Sequence, residues 1–299
     1  MNSSLLKRFY EYQLERFPVH ILLFTTLSVI LGSFVIILKD VNLLLDEILL
    51  LCVGAIVCLL YTFHIRVLDE IKDYSFDNKF HKDRPIQRGL ISISELVFID
   101  RIFLLVQVLL IYLFSFKSLI FWGITYLYSL VAKFEFFMKS KARKNFLIYN
   151  LLNLFQMFFL QIFLYSLILT SITWYNPFLY VHFIYLLGKV FLLEVARKLK
   201  VKTLENKGKD TYSARFGIKK ASFLFLVALF LTSGLFLSLL NYLNSSLILY
   251  LLFLILIIIQ VGVIIIYIKK QEETQVKFIE LSALLFYVLT DVLLVVSII

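Results

Sequence analysis

Long blocks of apolar residues, each of roughly 17 to 25 residues, limit what this chain can fold into. A helix rises about 1.5 Å per residue, so a block of this length spans the ~30 Å hydrocarbon layer of a bilayer. Barrel strands would be about 10 residues long and alternate in polarity, whereas residues 247–259 are apolar almost throughout. The composition agrees, since 61% of the residues are hydrophobic and 17% are charged. The sequence therefore predicts an all-α integral membrane protein.

About nine such blocks follow one another with short connections, and we interpret residues 1–299 as a single transmembrane domain. The predicted spans are residues 18–38, 46–64, 94–115, 118–137, 146–170, 177–196, 221–241, 246–268 and 279–298. Ahead of them, residues 1–17 mix apolar and basic side chains in the pattern of an amphipathic helix at the membrane interface. A solvated tail is the alternative for this segment.

Lys and Arg residues are concentrated in alternate connections between the predicted spans. One side of the membrane receives Lys7, Arg8, Arg16, Lys72, Lys79, Lys82, Arg84, Arg88, Lys139, Lys141, Arg143, Lys144, the 197–220 segment, Lys269, Lys270 and Lys277. Because positive charge resists translocation, this side is expected to be cytoplasmic, with the amino terminus inside and, after nine spans, the carboxyl terminus outside. We expect the membrane to be a prokaryotic cell membrane. The net charge of +10 follows from this topology, so we predict no nucleic-acid partner.

An acidic cluster follows the second predicted span. Asp69, Asp73 and Asp77 are spaced i, i+4, i+8, with Glu70 beside them, so a continuing helix would place three carboxylates in one stripe. Such like charges repel by a few tenths of a kcal/mol per pair, so a cation is expected to offset them. Mg²⁺ suits the cluster, because one or two carboxylates plus water and substrate phosphates commonly hold it. The alternative is a solvated helix end neutralised by Lys72, Lys79 and Lys82.

The residues after this cluster stop the helix and bring basic side chains near the carboxylates. The whole segment resembles the UbiA-type intramembrane prenyltransferase family, which has Asn-Asp-x-x-Asp-x-x-x-Asp after its second helix, then Asn-Arg-Pro and Gly. Asp69 and Glu70 stand where the family has Asn and Asp, while Asp73 and Asp77 match outright. The matching sequel is Asp83-Arg84-Pro85 and Gly89.

The family's second acidic motif, Asp-x-x-x-Asp-x-x-x-Asp after the sixth helix, is altered here to Glu194, Lys198 and Lys202. Either Glu205 or Asp210 folds back towards Glu194, or Arg197 and Lys198 replace one metal ion by binding diphosphate directly. We favour a mixed site, with either one or two Mg²⁺ ions. A loop that is basic only because it is cytoplasmic is the alternative. Glu194 lies within a predicted span, so we expect Arg197 or Lys198 to pair with it.

The resemblance implies a UbiA-like bundle around a central cavity, with cytoplasmic active-site loops at residues 65–93 and 194–220. It further implies an Mg²⁺-dependent transferase that moves an isoprenoid chain from a prenyl diphosphate to an acceptor, expected to be aromatic or similar to a quinone precursor. The implied catalytic residues are Asp73, Asp77 and Glu194, and the implied metal ligands are Asp69, Glu70, Asp73, Asp77 and Glu194. The implied diphosphate-binding residues are Arg84, Lys133, Arg197 and Lys198.

Polar residues in the fifth predicted span, Asn150, Asn153 and Gln156, are candidates for an acceptor pocket. Interhelical hydrogen bonds are the alternative for these three, as membrane snorkelling is for Lys133. The expected partners are a prenyl diphosphate, a small-molecule acceptor and membrane lipids, and the sequence leaves the oligomeric state open. Two other functions also fit the sequence: a terpene cyclase of the same family type, and a lipid-binding or transport protein without chemistry.

Overall fold

The computed structural model describes residues 4–39, 45–137, 146–168, 176–205 and 210–299. Throughout these ranges the regular structure is helical, with eleven α-helices, three 3₁₀ turns and no strand. Some predicted positions, residues 1–3, 169–170 and 206–209, lie outside the described residues. The chain divides into two compact units, Met1–Ile30 with Leu44–Thr170 and Leu31–Leu43 with Ser171–Ile299, and we describe each by itself.

The first six helices begin in the first unit, and the last turns of α2 belong to the second. They are α1 (Leu5–Arg16), α2 (Val19–Leu38), α3 (Leu45–Phe80), α4 (Ile93–Phe114), α5 (Leu119–Lys133) and α6 (Phe146–Ile168). The second unit continues with α7 (Pro177–Arg197), α8 (Tyr212–Phe216), α9 (Ile218–Tyr242), α10 (Leu247–Lys270) and α11 (Glu273–Val296).

Eight of these helices are long and apolar enough to cross a membrane, which confirms a multi-pass integral membrane protein. They correspond to all the predicted spans except residues 118–137. That segment contains α5, which has 15 residues and is therefore about 22 Å long. The 3₁₀ turns Phe116–Ser118 and Glu135–Phe137 flank α5. Helix α5 is therefore shorter than the predicted span at residues 118–137.

The longest helix, α3, extends well beyond the span that its apolar residues predict. Its 36 residues correspond to about 54 Å, against ~30 Å of hydrocarbon. Much of the predicted active-site loop at residues 65–93 is therefore helix, and only residues 81–92 are non-helical. The helix continues through the acidic cluster, as the spacing of Asp69, Asp73 and Asp77 predicted, because its carboxylates and cations pair along its surface.

Helix α1 confirms the predicted amino-terminal helix, and it is bound to the protein as well as amphipathic. Tyr12 and the following Phe17 are buried in a core with Phe63 and Val67 of α3. The opposite stripe of α1 stays exposed, with apolar side chains at Leu6, Tyr10 and Leu14.

A buried ion pair joins α7 and α11 in the second unit. Lys189 and Asp291 form a salt bridge, and neither side chain has any exposed surface. Tyr185 donates a hydrogen bond to Thr290 at 2.5 Å and lies 3.3 Å from Asp291 Oδ1. Lys189 also donates to the Tyr287 carbonyl at 3.3 Å. A charge without its counter-ion would be costly at this depth, so this pair constrains how α7 and α11 pack.

Replacing Asp291 by Ala should destabilise the protein by about 3 to 5 kcal/mol, because it leaves a buried ammonium group without a counter-ion. The free energy of unfolding in mixed micelles measures this loss. The double variant Lys189→Met with Asp291→Leu, which removes both charges, should recover most of it. As a control, Glu280→Ala breaks the half-exposed pair with Lys200 and should cost less than about 1 kcal/mol. Equal losses in Asp291→Ala and Glu280→Ala would contradict the structural role of the buried pair.

Candidate functional site

The predicted carboxylate stripe is present on α3, and its three members have different surroundings. Asp69 pairs with Lys72 at 2.6 Å. Asp77 is buried and forms a salt bridge with Arg84. Asp73, between them, is half-buried and has no hydrogen bond or ion pair to any residue that the structure describes.

Asp73 differs from the other two carboxylates of the stripe because it has no ion-pair partner among the described residues. The negative charges of Asp69 and Asp77 act on it from its own helix, as do the positive charges of Lys72 and Arg66. Cations are paired at the two ends of the stripe, whereas the carboxylate in the middle retains its acceptor capacity. The stripe therefore offers a position where a further cation would reduce repulsion.

Glu70 lies beside the stripe but faces a different set of cations. Its Oε1 accepts from Arg16 Nε at 3.1 Å and from Arg66 Nε at 3.0 Å, and Tyr12 lies at 3.4 Å. Only 2% of its side chain is exposed. Burial raises the pKa of Tyr12 above its ordinary value, so this phenol stays protonated and donates a hydrogen bond to Glu70. Glu70 thus joins α1 to α3.

The turn after α3 places Arg84 against the stripe. Residues 81–92 form a series of turns in which Arg88 N–H bonds the Arg84 carbonyl at 3.0 Å and Leu90 N–H bonds the Pro85 carbonyl at 2.8 Å. Gly89 closes the series at φ 79°, a left-handed conformation that favours glycine. Arg88 pairs with Glu15 of α1 and lowers the pKa of that carboxyl through their hydrogen bond.

A narrow crevice in the first unit brings several predicted site residues together. Its walls come from α3, α5 and α6 and include Asp69, Lys72, Lys133 and Gln156. The crevice is too tight to hold a water molecule. Lys133 and Gln156 therefore lie next to the acidic stripe, although sequence position alone could not show this.

The other two candidates for the acceptor pocket have different environments. Asn153 donates to the Tyr149 carbonyl of its own helix at 3.0 Å. Asn150, also on α6, has a buried side chain. Of the three polar residues, Gln156 is thus the one that the structure places beside the stripe.

The second cluster follows α7 in the second unit. Glu194 pairs with Lys198 at 2.6 Å and lies 3.9 Å from Arg197, which confirms the pairing expected for this carboxylate. Arg197 is largely exposed, with 64% of its side chain accessible. The cluster is therefore a carboxylate surrounded by cations.

Glu205 is used within the loop that follows. Its two carboxylate oxygens accept hydrogen bonds from Thr211 and Ser213, each at 2.5 Å. Ser213 in turn accepts from the Lys200 backbone N–H at 2.8 Å. Glu205 thus fixes the loop around α8, and Asp210 directly precedes Thr211 in it. These contacts favour the mixed site, with Arg197 and Lys198 as cations, over a second all-carboxylate motif.

The described residues contain no group of three or more His, Cys, Asp or Glu side chains that could hold a metal ion by themselves. Mg²⁺ needs fewer protein ligands, because one or two carboxylates with water and substrate phosphates suffice. Asp73, which has no counter-ion among the described residues, and the partly exposed Asp69 one turn away match that requirement. The residues present therefore fit an Mg²⁺ ion that is bound together with a phosphate ligand.

The fold has a counterpart among solved structures. No family model matches the sequence, and no curated protein matches it. The chain is similar to a solved structure of digeranylgeranylglyceryl phosphate synthase from a study of that membrane enzyme, with 16% identity and a TM-score of 0.62. The similarity covers 98% of this chain and 99% of the other. The chain therefore has the fold of a UbiA-type membrane prenyltransferase, as predicted.

Several buried polar contacts were missed by sequence reasoning. In the first unit, His64 Nδ1 lies 2.9 Å from Asp100, and His64 Nε2 lies 3.1 Å from Ser129, which joins α3, α4 and α5. In the second unit the missed pair is Lys189 with Asp291. All these residues lie inside apolar blocks, which was the available signal, because ionisable residues in a span need a partner there.

Glu70→Gln should release α1 from α3, because it leaves Arg16 and Arg66 beside each other without a buried negative charge. We expect trypsin to cleave after Arg16 at least about tenfold faster in membrane vesicles, since breaking a buried pair costs about 3 to 5 kcal/mol. Asp69→Asn is the matched control one residue away and should leave this cleavage rate unchanged. Identical rates for Glu70→Gln and the unaltered protein would show that apolar contacts alone hold α1.

Proposed function

We propose that this protein is a membrane prenyltransferase of the UbiA type, which transfers an isoprenoid chain from a prenyl diphosphate to a small-molecule acceptor. The observation that carries the proposal is Asp73, a carboxylate with no counter-ion among the described residues, in the middle of an acidic stripe whose ends are paired with Lys72 and Arg84. The similarity in fold to a solved digeranylgeranylglyceryl phosphate synthase supports it.

The donor's diphosphate is proposed to bind at the stripe together with Mg²⁺, which Asp73 and Asp69 would hold, with Asp77 behind them. When bound, the ion supplies neutralisation of the negative charge on the diphosphate leaving group. Glu70, which the sequence grouped with these ligands, is proposed to keep α1 in place, because its carboxylate already faces Arg16 and Arg66.

Basic side chains complete the proposed diphosphate site. Arg84 orients Asp77 through one nitrogen and retains further donors for phosphate oxygens. Lys133, which lines the crevice together with Asp69, is proposed to bind the same anion. Arg197 and Lys198 are also proposed to bind diphosphate oxygens, and Glu194 positions Lys198 by its 2.6 Å ion pair. Direct binding by cations replaces the carboxylates that the altered second motif lacks.

The proposed reaction breaks the allylic carbon–oxygen bond of the donor, and the electron pair leaves with pyrophosphate. The acceptor's nucleophilic atom forms the new bond to that carbon and loses its proton to solvent or a nearby base. The cations around the diphosphate stabilise the departing charge. The apolar surroundings exclude water, which would otherwise capture the allylic cation.

The acceptor is proposed to be aromatic or similar to a quinone precursor. Its proposed polar contacts are Gln156, Asn150 and Asn153. Gln156 is the best candidate of the three because it lines the same crevice as Asp69. The name of the similar protein refers to a glyceryl phosphate product, so a polyol phosphate is the second acceptor class to test. A donor-only incubation distinguishes transfer from cyclisation, which would release pyrophosphate without an acceptor.

The proposed orientation places the acidic stripe and the amino terminus in the cytoplasm of a prokaryotic cell and the carboxyl terminus outside. The distribution of Lys and Arg supports it. The exposed stripe of Leu6, Tyr10 and Leu14 on α1 is suited to lie on the cytoplasmic membrane surface.

Asp73→Asn should reduce pyrophosphate release from a C10 to C20 prenyl diphosphate at least about 100-fold, because it removes the negative charge that binds the metal–diphosphate complex. The control is Asp46→Asn, at the exposed opposite end of α3, which should retain full activity. EDTA should abolish the reaction in both the control and the unaltered protein.

Wild-type rates in Asp73→Asn would show that the stripe is not the site. The non-catalytic alternative gains support from the lysines at 198 and 202, where the family has carboxylates. It predicts no pyrophosphate release from any donor with any acceptor, and that result would overturn the proposed function as a whole.

A further inference from the structure

A cleft of about 580 Å³ opens in the second unit, and Glu205 and Lys200 are among its lining residues. It lies where the connection after α7 meets the first turn of α9. Its charged and aromatic lining residues are Lys200, Lys202, Glu205, Phe216, Lys219 and Lys220. We call it the lysine cleft.

Three of its four lysines have no counter-ion among the residues that the structure describes. Lys202, Lys219 and Lys220 are exposed and form no ion pair with any residue in the described part of the chain. Lys200 is paired with Glu280, outside the cleft. The only carboxylate among the lining residues, Glu205, already accepts from Thr211 and Ser213. The cleft therefore carries a net positive charge that its own residues do not balance.

The walls of the cleft are mainly apolar despite its charge. Ala214, Phe216 and Ile218 line it, and Phe216 keeps 40% of its surface exposed. A site for a free, fully hydrated anion would not need such walls. The combination suits a ligand that carries a phosphate at one end and an apolar body at the other.

The position of the cleft matches the boundary of the hydrocarbon layer. Helix α9 begins at Ile218 and has 25 residues, or about 37 Å, so its first turn lies at one face of the bilayer. Along α9 the exposed side chains Phe223, Val227, Phe230 and Leu231 form an apolar stripe that starts below the lysines. An acyl chain could follow this stripe while its headgroup occupies the cleft.

We propose that the lysine cleft binds the phosphate headgroup of an anionic phospholipid, with the acyl chains along the exposed stripe of α9. Phosphate is the chemistry that the lysines recognise, and the apolar walls select a lipid over free phosphate. The cleft lies within the 194–220 segment and includes Lys202 of the altered second motif. Lipid binding there needs neither a prenyl diphosphate nor a metal ion, so it can be tested separately from the proposed catalytic function.

The test measures binding of radiolabelled phosphatidylglycerol to the full-length protein in detergent micelles that contain EDTA. Unlabelled phosphatidylglycerol should displace the label, and phosphatidylcholine should not. The triple variant Lys202→Gln, Lys219→Gln, Lys220→Gln should bind at least about tenfold more weakly, because three basic contacts to the headgroup are lost. Inorganic phosphate should compete only at concentrations at least about 100-fold higher than the lipid, since it lacks the apolar contacts.

The matched control is Lys269→Gln, Lys270→Gln, Lys277→Gln, which removes the same charge from lysines outside the cleft. It should bind the lipid within about twofold of the unaltered protein, because its cleft is intact. Equal weakening in both triple variants would overturn the proposal in favour of general attraction to basic loops. Circular dichroism of both variants checks that they remain folded.

Two competitors test the assignment of the ligand. If inorganic phosphate displaces the label as well as the lipid does, the lipid assignment is wrong. If geranylgeranyl diphosphate does so in EDTA, the cleft is a donor site and the proposal is also overturned. Pyrophosphate release, measured separately with Asp73→Asn, reports on the catalytic proposal alone, so either proposal can fail without the other.

Discussion

Lipid offers no hydrogen bonds, and this constraint shapes every part of the chain that lies within the membrane. Backbone groups must be satisfied inside each segment, which makes the apolar blocks helical. Polar side chains in those helices must then find partners in the protein. Tyr61 donates to the Thr125 carbonyl at 2.9 Å, and Trp122 donates to Gln107 at 3.1 Å. Such contacts determine which helix faces meet, because dispersion alone hardly distinguishes one apolar face from another.

The existence and approximate bounds of the helices were predictable because apolar block length has a direct physical meaning in a bilayer. Details at the ends were less predictable. Helix α3 extends beyond its apolar block to Phe80, because Asp69 with Lys72 and Arg66 with Glu70 pair at helical spacings. Helix α5 is shorter than its apolar block because 3₁₀ turns adjoin both ends, and composition carries no signal for such turns.

The candidate residues could be named from the sequence, but the contacts of most of them could not. The family resemblance grouped Glu70 with Asp69, Asp73 and Asp77, although its carboxylate faces α1. The contact with Arg16 that explains this spans 54 positions in sequence, and no local pattern encodes it. Likewise, sequence placed Lys133 and Gln156 in different helices without showing that both adjoin Asp69. The pairing of Glu194 with Lys198 was predictable because it is local.

The contacts of α1 also affect the order in which the protein can be assembled during synthesis. This helix leaves the ribosome before the residues that anchor it, which lie later in the chain. The ion-pair partners of Arg16, Glu15 and Arg8 are Glu70, Arg88 and Glu95. The last pair is separated by 87 residues in sequence. Until residue 70 has emerged, none of these ion-pair partners is available to α1. Its exposed apolar stripe would then retain it near the insertion site until α3 and α4 arrive.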